Sequence, residues 1–319
     1  MNPLTKQVTT SSQAPQLFRI FGRQILSDFP LDRLGSEDVV SQIAVTMQNS
    51  GRPFAALDLV DRELPQFTRE PSVDGLRYVA PGVGEFLIHG RGERVTYSLA
   101  AGVRAADVQH ILTGPALIMA LQLQGEFLLH GGAIERNGRV FAVSAPHGFG
   151  KSTLTAAFYR AGHRVRSDDV VPIRDHGGVF LGGQGQPWIK LWDNALERFG
   201  EDAAKYDPVL TGFKKRIVPG VTSEGELSLG AVYLLLPHLD ESKPTEFRQL
   251  TGLEGALGLM GAVYSPETIV GELAVRNLDF ATRLAARVPV RLASYYRTFE
   301  NLPTIRDAIL RDFDEVSGA

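Results

Sequence analysis

The sequence contains no cysteine, which removes disulfides, thiolate catalysis and cysteine-ligated zinc together. That absence fits a reducing compartment. No apolar run approaches the roughly 18 residues of a spanning helix. The opening stretch, MNPLTKQVTTSSQAPQLF, holds no apolar segment of signal-peptide length. A cytoplasmic protein with no membrane partner is expected. Charge of one sign is equally scarce: 33 lysines and arginines against 36 acids leave a net charge of −3. No global basic field exists for a polyanion, so no nucleic-acid partner is expected. The seven histidines show no paired ligand spacing, which counts against a zinc site.

What is present is globular in character. Hydrophobic residues make up 44% and charged residues 22% of 319 positions, enough for a large core with a second, smaller unit. From Gln16 to about Leu112 the chain reads as short strands broken by turns. VDGLRYVAPGVGEFLIHGRGERVTYSLA alternates apolar and polar residues around Gly84, Gly90 and Gly92, as hairpin strands do. Helices are expected over Ser36–Ser50 and Asp107–Leu123, and the polar residues up to about 14 are expected to fray. Residues 1–115 therefore read as a small α+β unit for substrate recognition or packing, and 116–319 as the main α/β domain.

In that second part, EFLLHGGAIERNGRVFAVSA reads as two strands joined at Asn137-Gly138. A helix from about Ser152 to Ala161 follows, closed by Gly162 where a left-handed cap is wanted. HRVRS, AVYLLLP and VPVRLASYY read as strands, and SPETIVGELAVRNLDFATRLAARV as a helix. In the final helix Ile305, Ile309 and Phe313 recur every four residues and face the core.

The segment Ala145-Pro-His-Gly-Phe-Gly-Lys-Ser152 has the spacing of a phosphate-binding loop, with alanine in place of the first glycine. Gly148 and Gly150 let backbone N–H groups turn inward around phosphate oxygens. The helix that follows offers its positive end to the same anion. The expected nucleotide-binding set is His147, Gly148, Phe149, Gly150, Lys151, Ser152 and Thr153. Lys151 would bridge phosphates, and the Ser152 hydroxyl would ligate Mg²⁺.

Asp168 and Asp169 follow 17 and 18 residues after Lys151. A strand–loop–helix–strand unit makes a right-handed crossover between parallel strands, so the acids are expected beside the loop mouth. Adjacent residues of an extended segment point oppositely, so one carboxylate can reach Mg²⁺ while the other reaches a substrate hydroxyl. An acid in that second role argues for a kinase.

HGGAI…GRVFAVSAPHGFGKSTLTAAFYRAGHRVRSDDVV resembles the catalytic core of HPr kinase/phosphorylase and its relatives. His130-Gly131, Gly148 to Ser152, Gly162-His163-Arg164 and Asp168-Asp169 occur in that family's order. The close match covers about 45 residues; a looser one by element order extends over 119–319. The resemblance implies a serine kinase with a mixed sheet, similar in fold to the HPr kinase C-terminal domain and phosphoenolpyruvate carboxykinase, using ATP and Mg²⁺. It makes Asp168 the base, Asp169 a metal ligand with Ser152, and His130 a catalytic or orienting residue. The family's Glu-x-x-Gly-Leu-Gly segment is absent; FLGGQGQPWIKLWDNALERFG stands in that region, so HPr is not the implied substrate. FRIFGRQILSDFPLDRLG resembles the opening of homologues found with lasso peptides, which implies a C-terminal serine of a precursor peptide as acceptor.

TGFKKRIVPG and PWIKLWD add candidate substrate or phosphate contacts at Lys190, Lys215 and Arg216. Three functions stay open: a kinase for a peptide or small protein, a nucleotide-responsive binding module, and a kinase for a small metabolite.

Overall fold

A computed structural model describes residues 14–34, 42–51, 66–70, 74–220 and 225–317. The chain divides into two units, Met1–Glu126 with Val209–Phe213, and Phe127–Pro208 with Lys214–Ala319. Both carry mixed sheets with helices, an α/β architecture.

The first unit holds β1 (Gln16–Ile20), β2 (Arg23–Ser27), β3 (Ile43–Asn49), β4 (Gln66–Glu70), β5 (Gly75–Ala80), β6 (Gly84–His89) and β7 (Arg94–Leu99). Their order is β1-β2-β3-β7-β6-β5-β4, with β3 parallel to both its neighbours. The helix expected over Ser36–Ser50 is not formed where its residues are described: Ile43–Asn49 is a central strand, and residues 36–41 lie outside the described residues. Val45 and Met47 alternate inward with no exposure, and pairing on both edges outweighs local helix preference. The expected fraying concerns residues 1–13, which also lie outside the described set.

The helix expected over Asp107–Leu123 is present as α1 (Ala105–Ile111) and α2 (Leu117–Leu123), joined by a π-helical turn at Leu112–Ala116. Pro115 lacks an N–H and Gly114 leaves helical torsions, which breaks the ladder there. The leading segment of this unit runs to Glu126 and includes α2. A Cβ on Gly92 would overlap the Ala120 carbonyl, and Gln124 Nε2 donates to Ala44 O at 2.9 Å and Gly92 O at 3.0 Å. α2 therefore packs with the strands that precede it.

The second unit begins with β8 (Phe127–Arg136) and β9 (Arg139–Ser144), an antiparallel hairpin turning at Asn137 and Gly138, both left-handed. Then come α3 (Lys151–Arg160), β10 (Val165–Ser167), β11 (Val170–His176), β12 (Val179–Gly182), β13 (Trp188–Trp192), α4 (Asp193–Arg198), β14 (Lys215–Pro219) and β15 (Leu227–His238). β16 (Glu246–Leu250), α5 (Gly252–Gly261), α6 (Glu272–Ala285), β17 (Val290–Tyr296) and α7 (Leu302–Val316) complete it. β9, β15 and β17 are parallel; β10 and β11 run antiparallel to β8. Pairings close on themselves through β8, β9, β15, β12 and β11.

β9 and β10 are parallel to each other, as the crossover expectation requires, but they are not neighbours. Ala133 of β8 pairs with Ala142 on one side and Ser167 on the other, so β8 lies between them. α3 and α7 cover this sheet. Ile305, Ile309 and Phe313 of α7 are all buried in the same apolar cluster as Phe141 and Phe158, and Phe313 lies 5.0 Å from Phe141 between ring centroids. Among the described residues no helix is long and apolar enough to cross a membrane.

Candidate active site

β9 runs into the loop 145–150, and α3 leaves it. Gly148 and Gly150 both take left-handed torsions, with φ of 81° and 87°, and nothing lies within 4 Å of where a Cβ would stand. These are positions that glycine fills without strain. The loop's Lys151 is buried, and its Nζ donates to the carbonyls of Ala145 at 2.8 Å and Pro146 at 3.3 Å. Burial lowers its pKa to about 8, against the opposing pull of Asp169 and Asp168. Ser152 and Thr153 begin the helix half-buried, while His147 and Phe149 stand exposed on the loop.

Two glycines of β8 bring this helix and the loop strand close. A Cβ on Gly131 would overlap the Val143 carbonyl, and one on Gly132 would overlap Thr155 Oγ1 of α3. His130 precedes them. Its carbonyl accepts from Ser144 Oγ at 2.7 Å, which ties the end of β9 to the start of the glycine pair.

The aspartates interrupt what is otherwise one long strand. Ser167 pairs with Ala133 and Val170 with His130, so the register is unchanged across Asp168 and Asp169. Gly131 N–H donates to Asp169 O at 3.1 Å, and Gly131 pairs with Ser144 on its other edge. The loop strand and the aspartates therefore lie level, one on each side of Gly131. The interruption comes from Asp169, whose φ is 75°, a left-handed torsion that costs a non-glycine residue of order 1 kcal/mol. It also overturns the expectation that the two carboxylates face opposite ways. Asp168 Oδ2 accepts from the backbone N–H of Lys190 at 2.9 Å, and Asp169 Oδ2 accepts from its Nζ at 2.7 Å.

The two environments differ. Asp168 is 1% exposed, and its Oδ1 is buried without a hydrogen bond. Burial raises its pKa to about 6, opposed by the Lys190 N–H and reinforced by Asp169. For Asp169 burial alone would raise the pKa, but Lys190, His130 and Lys215 together hold it well below the usual carboxylate range. His130 Nδ1 stands 3.8 Å from Asp169 Oδ1. Burial lowers the imidazole to about 4, so it is neutral at pH 7.

Lys190 is thus joined to both acids. Lys215 acts electrostatically on Asp168, Asp169, His130 and Lys151. Arg216 does not join them. Its guanidinium bonds both oxygens of Asp193, at 2.6 and 3.0 Å, and fastens β14 to α4. One residue escaped the sequence reading: Arg297, just past β17, donates to Gly148 O at 3.0 Å and lies 5.7 Å from the Phe149 ring centroid. The parallel register of β9, β15 and β17 brings it to this edge, and nothing in its local sequence marks it.

Among the described residues no three His, Asp or Glu side chains cluster as a metal cage. Mg²⁺ bound with a nucleotide needs only one or two carboxylates beside the phosphates. The left-handed glycines with open space above them and the orphaned Asp168 Oδ1 fit a magnesium nucleotide with an acceptor beside it.

No family model matches the chain, and no curated protein matches it. Among solved structures it is similar to the Hpr(Ser) kinase/phosphatase from Coxiella burnetii, at 14% identity and a TM-score of 0.32, over 58% of this chain and 94% of that one. A likeness of that degree leaves the site to be argued from its own residues.

Proposed function

We propose that the chain is an ATP- and Mg²⁺-dependent kinase that phosphorylates a serine hydroxyl of a peptide or small protein. One observation carries this: the strand that runs into the glycine loop and the backbone of Asp169 flank the same glycine, Gly131, and next to Asp169 stands the buried carboxylate of Asp168 with an unused oxygen. A binding module has no use for an acid of raised pKa at that point; phosphoryl transfer does.

In this reading the loop N–H groups and the N-terminus of α3 hold the β- and γ-phosphates. Lys151 exchanges its two carbonyl partners for phosphate oxygens. Ser152 and Asp169 would hold Mg²⁺, which would neutralise charge developing on the transferred group. Asp168 Oδ1 orients the acceptor hydroxyl and takes its proton as the oxygen bonds to the γ-phosphorus and the bond to the ADP leaving group breaks. His130 stays neutral beside Asp169 and steadies it. The C-terminal serine of a lasso-type precursor peptide is the acceptor that the family resemblance suggests.

The test is transfer of label from ATP, with Mg²⁺, to serine-ending peptides, beside Asp168→Asn. Removal of a general base should lower the rate by about 10²–10⁴. Undiminished transfer in the variant would remove Asp168 from its role. Nucleotide binding with no transfer to any acceptor would leave a binding module.

A further inference from the structure

The β13–β14 hairpin has two faces that do different work. Its register sets Lys190 opposite Ile217, Leu191 opposite Arg216 and Trp192 opposite Lys215. Ile189 and Leu191 belong to one face and are buried in the apolar cluster with Leu154 of α3. Arg216 shares that face and is bound to Asp193. The other face carries Lys190, whose ammonium reaches Asp169, and by the two-residue alternation it also carries Trp192 and Lys215.

The cations around the aspartates are unequally committed. Lys151 bonds loop carbonyls and Lys190 bonds Asp169. Among the described residues the Lys215 ammonium has no ion pair or hydrogen bond; its Nζ lies 5.9 Å from the Trp192 ring centroid. Trp192 is 43% exposed, unlike Trp188 on the same strand, which is 4% exposed. An exposed indole with an ammonium over its ring, and no carboxylate on that ammonium, forms an apolar surface with one charge beside it. The charge of Lys215 opposes the burial-driven rise at Asp168 and helps hold Asp169 low, so this surface lies within electrostatic reach of both.

We propose that Lys215 and Trp192 form the acceptor subsite, and that the acceptor carries an anionic group beside its hydroxyl. This rests on the kinase reading. The nucleotide phosphates already have Lys151 and the end of α3, and a phosphate gains nothing from an exposed indole. An organic acceptor gains a surface from Trp192 and a charge-assisted bond from Lys215. The anion can be a chain-terminal carboxylate or an acidic side chain next to the acceptor residue.

Trp192 also supplies the signal, since the other of the two tryptophans is buried. The protein, with Mg²⁺ and a non-hydrolysable ATP analogue, is titrated with N-acetylserine, N-acetylserinamide and N-acetyl-aspartyl-serinamide, following indole fluorescence. N-acetylserine or the aspartyl compound should bind about tenfold or more tightly than the neutral amide, a difference of about 1.4 kcal/mol. Which of the two does so names the source of the anion. Lys215→Gln should reduce the anionic ligands to the amide's level, Lys215→Arg should keep most of the preference, and analogue binding should fall by much less than anionic-ligand binding. Equal binding of all three compounds, no response to any, or a Lys215→Gln defect in analogue binding instead would overturn the subsite. Label transfer to serine-ending peptides is measured separately. If it fails while N-acetylserine still binds through Lys215, the kinase reading falls and the anion subsite stands.

Discussion

Gly132 is where the fold holds the helix after the glycine loop against its sheet, and it offers a quantitative test. A Cβ there would overlap Thr155 Oγ1 and would lie 3.2 Å from Thr155 Cγ2 and 3.3 Å from its Cβ. The backbone of Gly132 is not left-handed, so Gly132→Ala is penalised by crowding alone, about 1–3 kcal/mol. Thr155→Ala alone loses the hydroxyl's bond to Lys151 O, made at 3.0 Å, at a cost of about 1 kcal/mol. In the double variant the overlapping hydroxyl is gone, and only the 3.3 Å approach remains. The two costs should therefore not add; the pair should be more stable than their sum by about 1–2 kcal/mol. Urea unfolding of the four proteins, followed by tryptophan fluorescence, measures this. Both tryptophans lie on β13, whose Ile189 and Leu191 share α3's apolar cluster, so the signal reports the right unit. Additivity within about 0.5 kcal/mol would refute the packing described. Nucleotide affinity should fall in Gly132→Ala and recover in the double variant, because Lys151 and Ser152 ride on that helix.

Three further outcomes are expected. Lys190→Met leaves the Asp169 charge without its nearest cation and should destabilise the protein by about 3 kcal/mol; adding Asp169→Asn should restore most of this in the same urea measurement. Asp168 has a folded pKa of about 6 against an ordinary 3.8, so it contributes stability that is full below about 4 and lost as pH rises through about 6. Asp168→Asn should flatten the stability–pH curve in that window, and an unchanged slope would show that the carboxyl is not buried as described. Arg297→Ala removes an exposed brace from Gly148 O, so stability should move by less than about 0.5 kcal/mol. The KM for ATP should rise several-fold in steady-state kinetics while the acceptor KM does not.

The parts of the site legible in the sequence are those written in local chemistry. The loop glycines, the Gly162 cap at φ of 86° and the Ile305–Ile309–Phe313 stripe all follow from short-range torsion and periodicity. What depends on pairing across the chain was not legible. The strand Ile43–Asn49 takes its form from two parallel neighbours far apart in sequence. Lys215 and Arg216 are equivalent as letters, and only the hairpin register sends one to the acids and the other to Asp193. Arg297 reaches the site from just past β17 with no motif around it, and the link of Lys190 to both acids is made only by the fold.

The aspartate pair gains its meaning from the lysine between its two oxygens. Both carboxylates are close to the same residue, yet Lys190 gives Asp168 only a backbone N–H and gives Asp169 a full charge. Desolvation therefore dominates at Asp168 and pushes its pKa up, while ion pairing dominates at Asp169 and pushes its pKa down. On the proposed kinase reading, two acids driven apart in this way divide into a proton acceptor working near neutral pH and a permanent anion able to face a cation. The left-handed turn at Asp169 is what puts both on Lys190. Replacing Asp169 with asparagine, which tolerates the same torsion, should keep the turn and the position of Asp168 while removing the anion. Loss of Mg²⁺ dependence of nucleotide binding in Asp169→Asn, with nucleotide still bound, is the expected result; unchanged Mg²⁺ dependence would break the division of labour between the two acids.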